Sequence, residues 1–261
     1  MQHRRVSNSR TWRDPAIAGM SAIVLALSGC HRAIAPLLRP DSSAVALTGG
    51  PGTSMIYLAR TGDSVIAIDL GWWRPRGPVT TALRELGASP DQVTDVFLTH
   101  SHRDHIGAWR LLGRSRFHVA ESEAPLLFGA RPHGGWVPRW VERVKPSGLP
   151  APNEVAVRTF TRDTTFVLGR DTLYAFIVPG HTAGSTVYLF RGTLFLGDAA
   201  TYTPWGGFAR ARRGYSDDVQ VAAANLQSLW QRLPRERVRY VCTAHAHCTT
   251  FSDDFLRDVR R

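Results

Sequence analysis

Apolar and polar positions change over in short runs along this chain, and most runs have the length of a strand rather than a helix. Ser54–Arg60 and Ser64–Leu70 read as two strands joined by a turn at Thr61-Gly62-Asp63. Val79–Leu86 has helical spacing and stops at Gly87. Val93–Thr99 is β-rich and largely apolar, as a strand covered on both faces should be. Ile106–Leu112 predicts a helix, Phe117–Ala120 a short strand and Ser122–Phe128 a short helix. Further on, Thr165–Leu168, Thr172–Val178, Thr186–Phe190 and Thr193–Leu196 read as successive strands. Asp218–Arg232 predicts a helix, Val238–Thr243 a strand and Asp253–Val259 a terminal helix.

The stretch Gly129–Pro152 breaks this rhythm, with five prolines and four glycines, and predicts an extended loop. Two β-rich halves with helices between them predict an α+β fold, a four-layer αββα sandwich rather than a doubly wound sheet.

The N-terminus predicts a separate segment. Arg4, Arg5, Arg10 and Arg13 precede an apolar stretch from Ala16 to Leu27, too short to span a bilayer and of the length of a signal-peptide core. It ends in Leu27-Ser28-Gly29-Cys30, which resembles the bacterial lipobox. The expectation is a leader over residues 1–29 and a lipid-modified Cys30, with a proline- and serine-containing tether over 30–43 and one domain over 44–261. Such a chain would be exported and held on a membrane, on the periplasmic side or at the cell surface.

Composition narrows the partners. The chain of 261 residues is 43% apolar, enough for one large core. Basic residues exceed acidic ones by 11, yet Lys145 is the only lysine and the arginines are spread along the whole sequence. No basic run is interleaved with aromatics, so no nucleic-acid partner is expected. After a cut before Cys30 only Cys242 and Cys248 remain, a pair that an oxidising compartment permits but their spacing does not require.

The chemistry is concentrated where the strand Val93–Thr99 runs into His100-Ser101-His102-Arg103-Asp104-His105. Residues two apart at a strand end point the same way, so His100 and His102 can converge on one ion. Asp104 and His105, at the following turn, can face a second. Imidazole nitrogen and carboxylate oxygen are donors that zinc and similar divalent ions favour. Three further strand ends each deliver one more donor: His181 in Pro179-Gly180-His181-Thr182, Asp198 in Leu196-Gly197-Asp198, and His245 after Val238–Thr243.

These motifs, in this order over about residues 44–250, resemble the metallo-β-lactamase fold superfamily. The resemblance implies His100, His102 and His181 on one metal, Asp104, His105 and His245 on the other, and Asp198 bridging them. It implies that Asp69 braces the site through hydrogen bonds. Two ions, zinc with manganese or iron as other candidates, would share a hydroxide that attacks a substrate carbonyl. Asp104 would orient that nucleophile and pass its proton to the leaving group. Ser101, Ser185 and Cys248 are then structural.

Within the family, the aspartate at 198 points to ester and lactone hydrolases, because the known β-lactam-hydrolysing classes carry cysteine or serine there. Glyoxalase II shares the motif around His181, but only 16 residues follow His245, where that enzyme carries a glutathione-binding domain. The alternatives are β-lactam hydrolysis and, in a different class, an iron-dependent persulfide dioxygenase-like or redox protein. Tyr202, four residues after Asp198, is a candidate for polarising the substrate. Trp72, Trp73, Trp136, Trp140 and Trp205 could line an apolar cleft for a small-molecule substrate. His118, His133 and His247 have no slot among the ligands, and Arg103 is expected in solvent.

Overall fold

The computed structural model describes residues 44–47, 54–72, 76–144, 148–202, 207–246, 248–252 and 255. The expected leader, Cys30, the tether and the terminal helix apart from Phe255 lie outside these residues, as do Trp73, Trp205 and His247.

The first sheet takes its six strands in chain order: β1 (Ala44–Leu47), β2 (Ile56–Thr61), β3 (Ser64–Ile68), β4 (Val93–Phe97), β5 (Arg116–Ala120) and β6 (Ala156–Phe160). Its first three strands form an antiparallel meander, and β3 to β6 are parallel. The second sheet begins with β7 (Thr164–Leu168), β8 (Asp171–Ile177), β9 (Thr186–Phe190) and β10 (Thr193–Phe195). A small separate hairpin follows, β11 (Ala200–Tyr202) and β12 (Phe208–Arg210). Then β13 (Tyr240–Cys242) and β14 (Cys248–Thr250) complete the second sheet, in the order β14-β13-β10-β9-β8-β7. Four α-helices accompany them among the described residues: α1 (Arg76–Glu85), α2 (Ala124–Leu127), α3 (Trp136–Val144) and α4 (Val219–Arg232).

Period-two alternation along the strands produces three cores. On β3, Ile66 and Ile68 face inward with Phe97 of β4, while Val65 and Ala67 face outward with Val96. On β9, Tyr188 and Phe190 face inward, and Val187 and Leu189 outward. The inward set joins the two sheets, the outward set of the first sheet packs against Val79 and Leu83 of α1, and that of the second packs against Leu226, Leu229 and Trp230 of α4. Burial on both faces is why Val187 to Phe190 of β9 read as an unbroken apolar run. The layering is therefore the expected αββα sandwich.

Bonds between the sheets fix them at one end. The Tyr188 hydroxyl donates to the Leu98 carbonyl at 2.9 Å. Thr186 N donates to Thr99 O and Met55 N to Ala244 O, both at 2.8 Å.

Two expectations fail here. Ile106–Leu112 forms consecutive turns instead of a helix. Its internal bonds are mainly three-residue turns, Trp109 N to Ile106 O and Leu111 N to Ala108 O, while the amides of Gly107 and Ala108 donate to Gly71 O and Leu70 O and anchor the segment to the chain leaving β3. Gly129–Pro152 is not all loop, because it contains α3. Pro138 falls in the first turn of that helix, where its missing N–H costs nothing.

Candidate metal centre

All the expected donors arrive at the same end of the sandwich. Asp69 leaves β3 in the left-handed region, φ 55°. Its carboxylate accepts from Thr99 N and Thr99 Oγ1, each at 2.7 Å, and so ties the exit of β3 to that of β4. His105 Nδ1 adds a third bond to the same carboxylate at 2.8 Å. The bracing geometry expected of Asp69 is present.

The His181 loop is set by α4. Asp218 caps that helix, accepting from Gln220 N and Val221 N, while Asp217 N donates to His181 O and Asp218 N to Gly180 O. Gly180 has φ 129°, and a Cβ there would lie 2.2 Å from Ala222 N, so only glycine lets the helix start against this loop. Gly197, φ 54°, plays the same part before Asp198: a Cβ would lie 2.6 Å from Thr99 Oγ1.

Three imidazoles then converge. His100 Nε2 lies 3.0 Å from His102 Nδ1, and His181 Nε2 lies 3.1 Å from each of them. The outer bonds decide which nitrogens carry protons. The Thr99 hydroxyl spends its hydrogen on Asp69, so its oxygen accepts from His100 Nδ1 at 3.2 Å. The Ser216 hydroxyl donates to Arg212 O, so its oxygen accepts from His181 Nδ1 at 3.0 Å. His100 and His181 consequently aim bare Nε2 lone pairs at His102 Nδ1. Burial, reinforced by neighbouring histidines, pushes His100 and His102 well below the usual histidine range. Burial also brings His181 down to about 4, against the pull of Asp198.

The bare Nε2 atoms of His100 and His181, 3.1 Å apart, repel unless a cation lies between them. The edges of a tetrahedral site with zinc–nitrogen bonds of about 2.0–2.1 Å are about 3.3–3.4 Å long. The observed separations come within a few tenths of an ångström of that, so the donor set fits such an ion.

The second group is built from carboxylates as well. Asp104, His105 and His245 each bring a donor atom within 4.8 Å of the others. His245 Nε2 lies 3.1 Å from Asp104 Oδ2 and 3.2 Å from Asp198 Oδ2. His105 Nε2 is buried with no hydrogen-bond partner, 3.7 Å from both Asp104 Oδ2 and Asp198 Oδ1. That distance is too long for a hydrogen bond and leaves room for an ion. Burial opposes charge here, but Asp198 and Asp104 outweigh it and hold His245 up at about 11. His245 and the other nearby histidines in turn hold Asp198 well below the usual carboxylate range, again against burial. Asp198 also reaches the first group, 3.8 Å from His181 Nε2, and clusters with His100 and His105.

Sequence reasoning missed the outer supports. Glu123, at 1% exposure, accepts four hydrogen bonds: Ser101 N and Ser101 Oγ on one oxygen, Thr182 Oγ1 and Gly184 N on the other. It thereby joins the loop carrying His100 and His102 to the loop carrying His181. His133 packs its ring 4.6 Å from that of His102, meets Ser101 Oγ at 2.9 Å and pairs with Glu142 of α3. Nothing in the spacing of Glu123, His133 or Glu142 marks them. A buried acid in the apolar turn Glu123-Ala124-Pro125-Leu126-Leu127 was the one available signal.

The remaining candidates fall into place. Ser101 bonds to Glu123, and Ser185 to Thr182 within its own turn. Tyr202 stands on β11 with its ring edge-on to Phe208, at 5.3 Å. Arg103 is half-buried rather than solvated, with burial lowering its pKa and Glu142 opposing. Trp136 and Trp140 stand outward on α3. Cys242 and Cys248 form a disulfide. His118 bonds to Asp95 and stacks on Phe97, away from the cluster.

Several solved structures share this fold. A metallo-β-lactamase from Pontibacter korlensis is 20% identical, with 85% of this chain and 97% of that one covered and a TM-score of 0.61. An archaeal metallo-β-lactamase superfamily protein from Sulfolobus tokodaii is 18% identical over 81% of this chain and 82% of its own, TM-score 0.56. A subclass B3 metallo-β-lactamase of Bradyrhizobium japonicum is 22% identical over 74% and 72%, TM-score 0.54. At such identities the likeness concerns the fold. A search of curated proteins found no significant match. The sequence model of one family matches residues 49–247, every donor described above included, and the chain belongs to the metallo-β-lactamase superfamily.

Proposed function

We propose that this chain is a hydrolase using two divalent ions, zinc first with manganese or iron as the other candidates, on an ester or lactone carbonyl. Its superfamily typically binds divalent metals, which supports a metal-dependent hydrolase. The carrying observation is the pair of donor groups with Asp198 between them. His100, His102 and His181 would hold one ion, Asp104, His105 and His245 the other, and Asp198 would touch both. Bound there, such ions activate water near neutral pH and polarise a substrate oxygen.

The residues of the chain divide the remaining work. Asp69, Thr99 and Ser216 hold the imidazoles in the tautomers that leave the inner nitrogens bare. Asp104, partly exposed at the rim, can take a proton from the nucleophile and return it to the leaving group. Cys30, as a lipid-modified residue, would keep this activity on the outer side of a membrane.

β-Lactam hydrolysis is the second reading, favoured by the fold shared with B3 enzymes and opposed by the aspartate at 198. A panel of lactones, aryl esters, thioesters, phosphodiesters and a chromogenic cephalosporin, run with zinc, manganese and iron, separates these readings. Lactones or esters should turn over fastest. A cephalosporin in first place establishes the second reading, and iron alone with oxygen consumption overturns both.

A further inference from the structure

Six large hydrophobic side chains stand exposed among the described residues, and four share one patch: Trp136 (73%), Trp140 (61%), Val144 (58%) and Tyr215 (41%). The first three follow one another at i, i+4 and i+8 along α3, so they lie in a line on one face. Arg139 and Arg143 are exposed beside them, while Val137, Pro138, Val141 and Glu142 turn towards the protein. Tyr215 belongs to the single turn Arg213–Tyr215, against which α3 packs. A Cβ at Gly214 would lie 2.9 Å from Trp136 Nε1, and exposed Arg212 and Arg213 flank the same spot. The one acid of α3, Glu142, is engaged with His133.

We propose that this face docks the domain on an anionic lipid surface. Indole and phenol rings settle at the boundary between headgroups and acyl chains, where one end is apolar and the other wet. Guanidinium groups set among them pair with phosphate in a two-pronged geometry. The patch offers three aromatics and four arginines against two exposed acids at its edge, Asp217 and the helix cap Asp218, so its net charge is positive and matches negative headgroups. Nine residues of helix reach about 13 Å, so α3 would lie in the plane of the surface. No helix among the described residues is long and apolar enough to cross a membrane. A second copy of the chain suits the face poorly, because a two-fold contact would bring the arginines of both copies into one interface. The proposed anchor at Cys30 would hold the domain within the reach of its tether, about 50 Å when extended. The docking face stands without it.

Hydrogen–deuterium exchange of the full chain carrying Cys30→Ser tests this without using turnover. Exchange across 136–144 and 213–215 should slow with phosphatidylglycerol vesicles and stay unchanged with phosphatidylcholine. Arg139→Gln with Arg143→Gln should weaken vesicle partition about 30-fold. The double lysine variant should stay within about 3-fold of the parent, because it keeps both charges. Unchanged exchange in the core strands certifies that each variant is folded. The proposal is overturned by no slowing on anionic vesicles, by equal slowing on neutral ones, or by slowing without vesicles that grows with protein concentration.

Discussion

The two donor groups use nearly the same side chains and reach opposite electrostatic states. Around His100, His102 and His181 no carboxylate among the described residues lies within hydrogen-bond reach of the inner nitrogens, the outward N–H groups of His100 and His181 go to hydroxyls, and the imidazoles are neutral. Around Asp104, His105 and His245 the carboxylates face the rings directly, and a proton on His245 balances them. The difference teaches that ligand identity alone does not define a site. Burial next to hydroxyls prepares nitrogens for a cation, whereas burial next to carboxylates lets a proton stand in for one.

The sharpest break is at Asp198, the residue common to both groups. Asp198→Asn should lower kcat/KM by more than the about 10–100-fold typical of outer contacts, and bound metal should fall from two equivalents towards one. Kinetics paired with elemental analysis checks both; full occupancy of both positions would contradict the bridging role. Glu123→Gln comes next. The amide offers hydrogens where Ser101, Thr182 and Gly184 also donate, so metal affinity should drop about 10–100-fold. Stability should fall by about 2–3 kcal/mol in urea titration.

A pH series on chelated protein sharpens the contrast. His181 titrates at about 4 when folded and near 6.5 when unfolded, so the unfolded state takes up protons first. Its stability contribution should therefore be lost as pH falls from 6.5 towards 4. His245, at about 11, does the reverse: its contribution is complete below 6.5 and disappears as pH climbs towards 11. Urea midpoints should show His181→Gln flattening the acid limb and His245→Gln the alkaline limb; a single variant removing both limbs would unite what is here separated. The smallest effect concerns Cys242→Ser with Cys248→Ser. Opening so short a loop should cost about 2 kcal/mol, and only the second group, which holds His245, should lose metal affinity.

The legible parts of the molecule were those in which chemistry or burial repeats locally. His100 to His105 declare themselves in six consecutive positions, and β9 is apolar from Val187 to Phe190 because both of its faces are covered. Five strands escaped notice: β11, β12 and β14 are only three residues long, and β1 and β6 lie at the edges of the first sheet, where β6 is exposed at Ala156, Arg158 and Thr159 and carries no clear alternation. Ile106–Leu112 has helical spacing, yet it forms turns pinned to Leu70 and Gly71, a contact across more than thirty residues that no local pattern encodes. The same holds for Glu123. Its four donors come from two distant loops, so its meaning exists only after the sheets meet.

That meeting of the sheets has a consequence in time. His100, His102, Asp104 and His105 follow a strand of the first sheet, while His181, Asp198 and His245 follow strands of the second. Neither group of donors is complete on one sheet. Contacts this distant in sequence form late, after the entropy of closing long loops has been met. Any cation held here would therefore find its full donor set only once the two sheets have met, so its binding would be linked to the joining of the sheets.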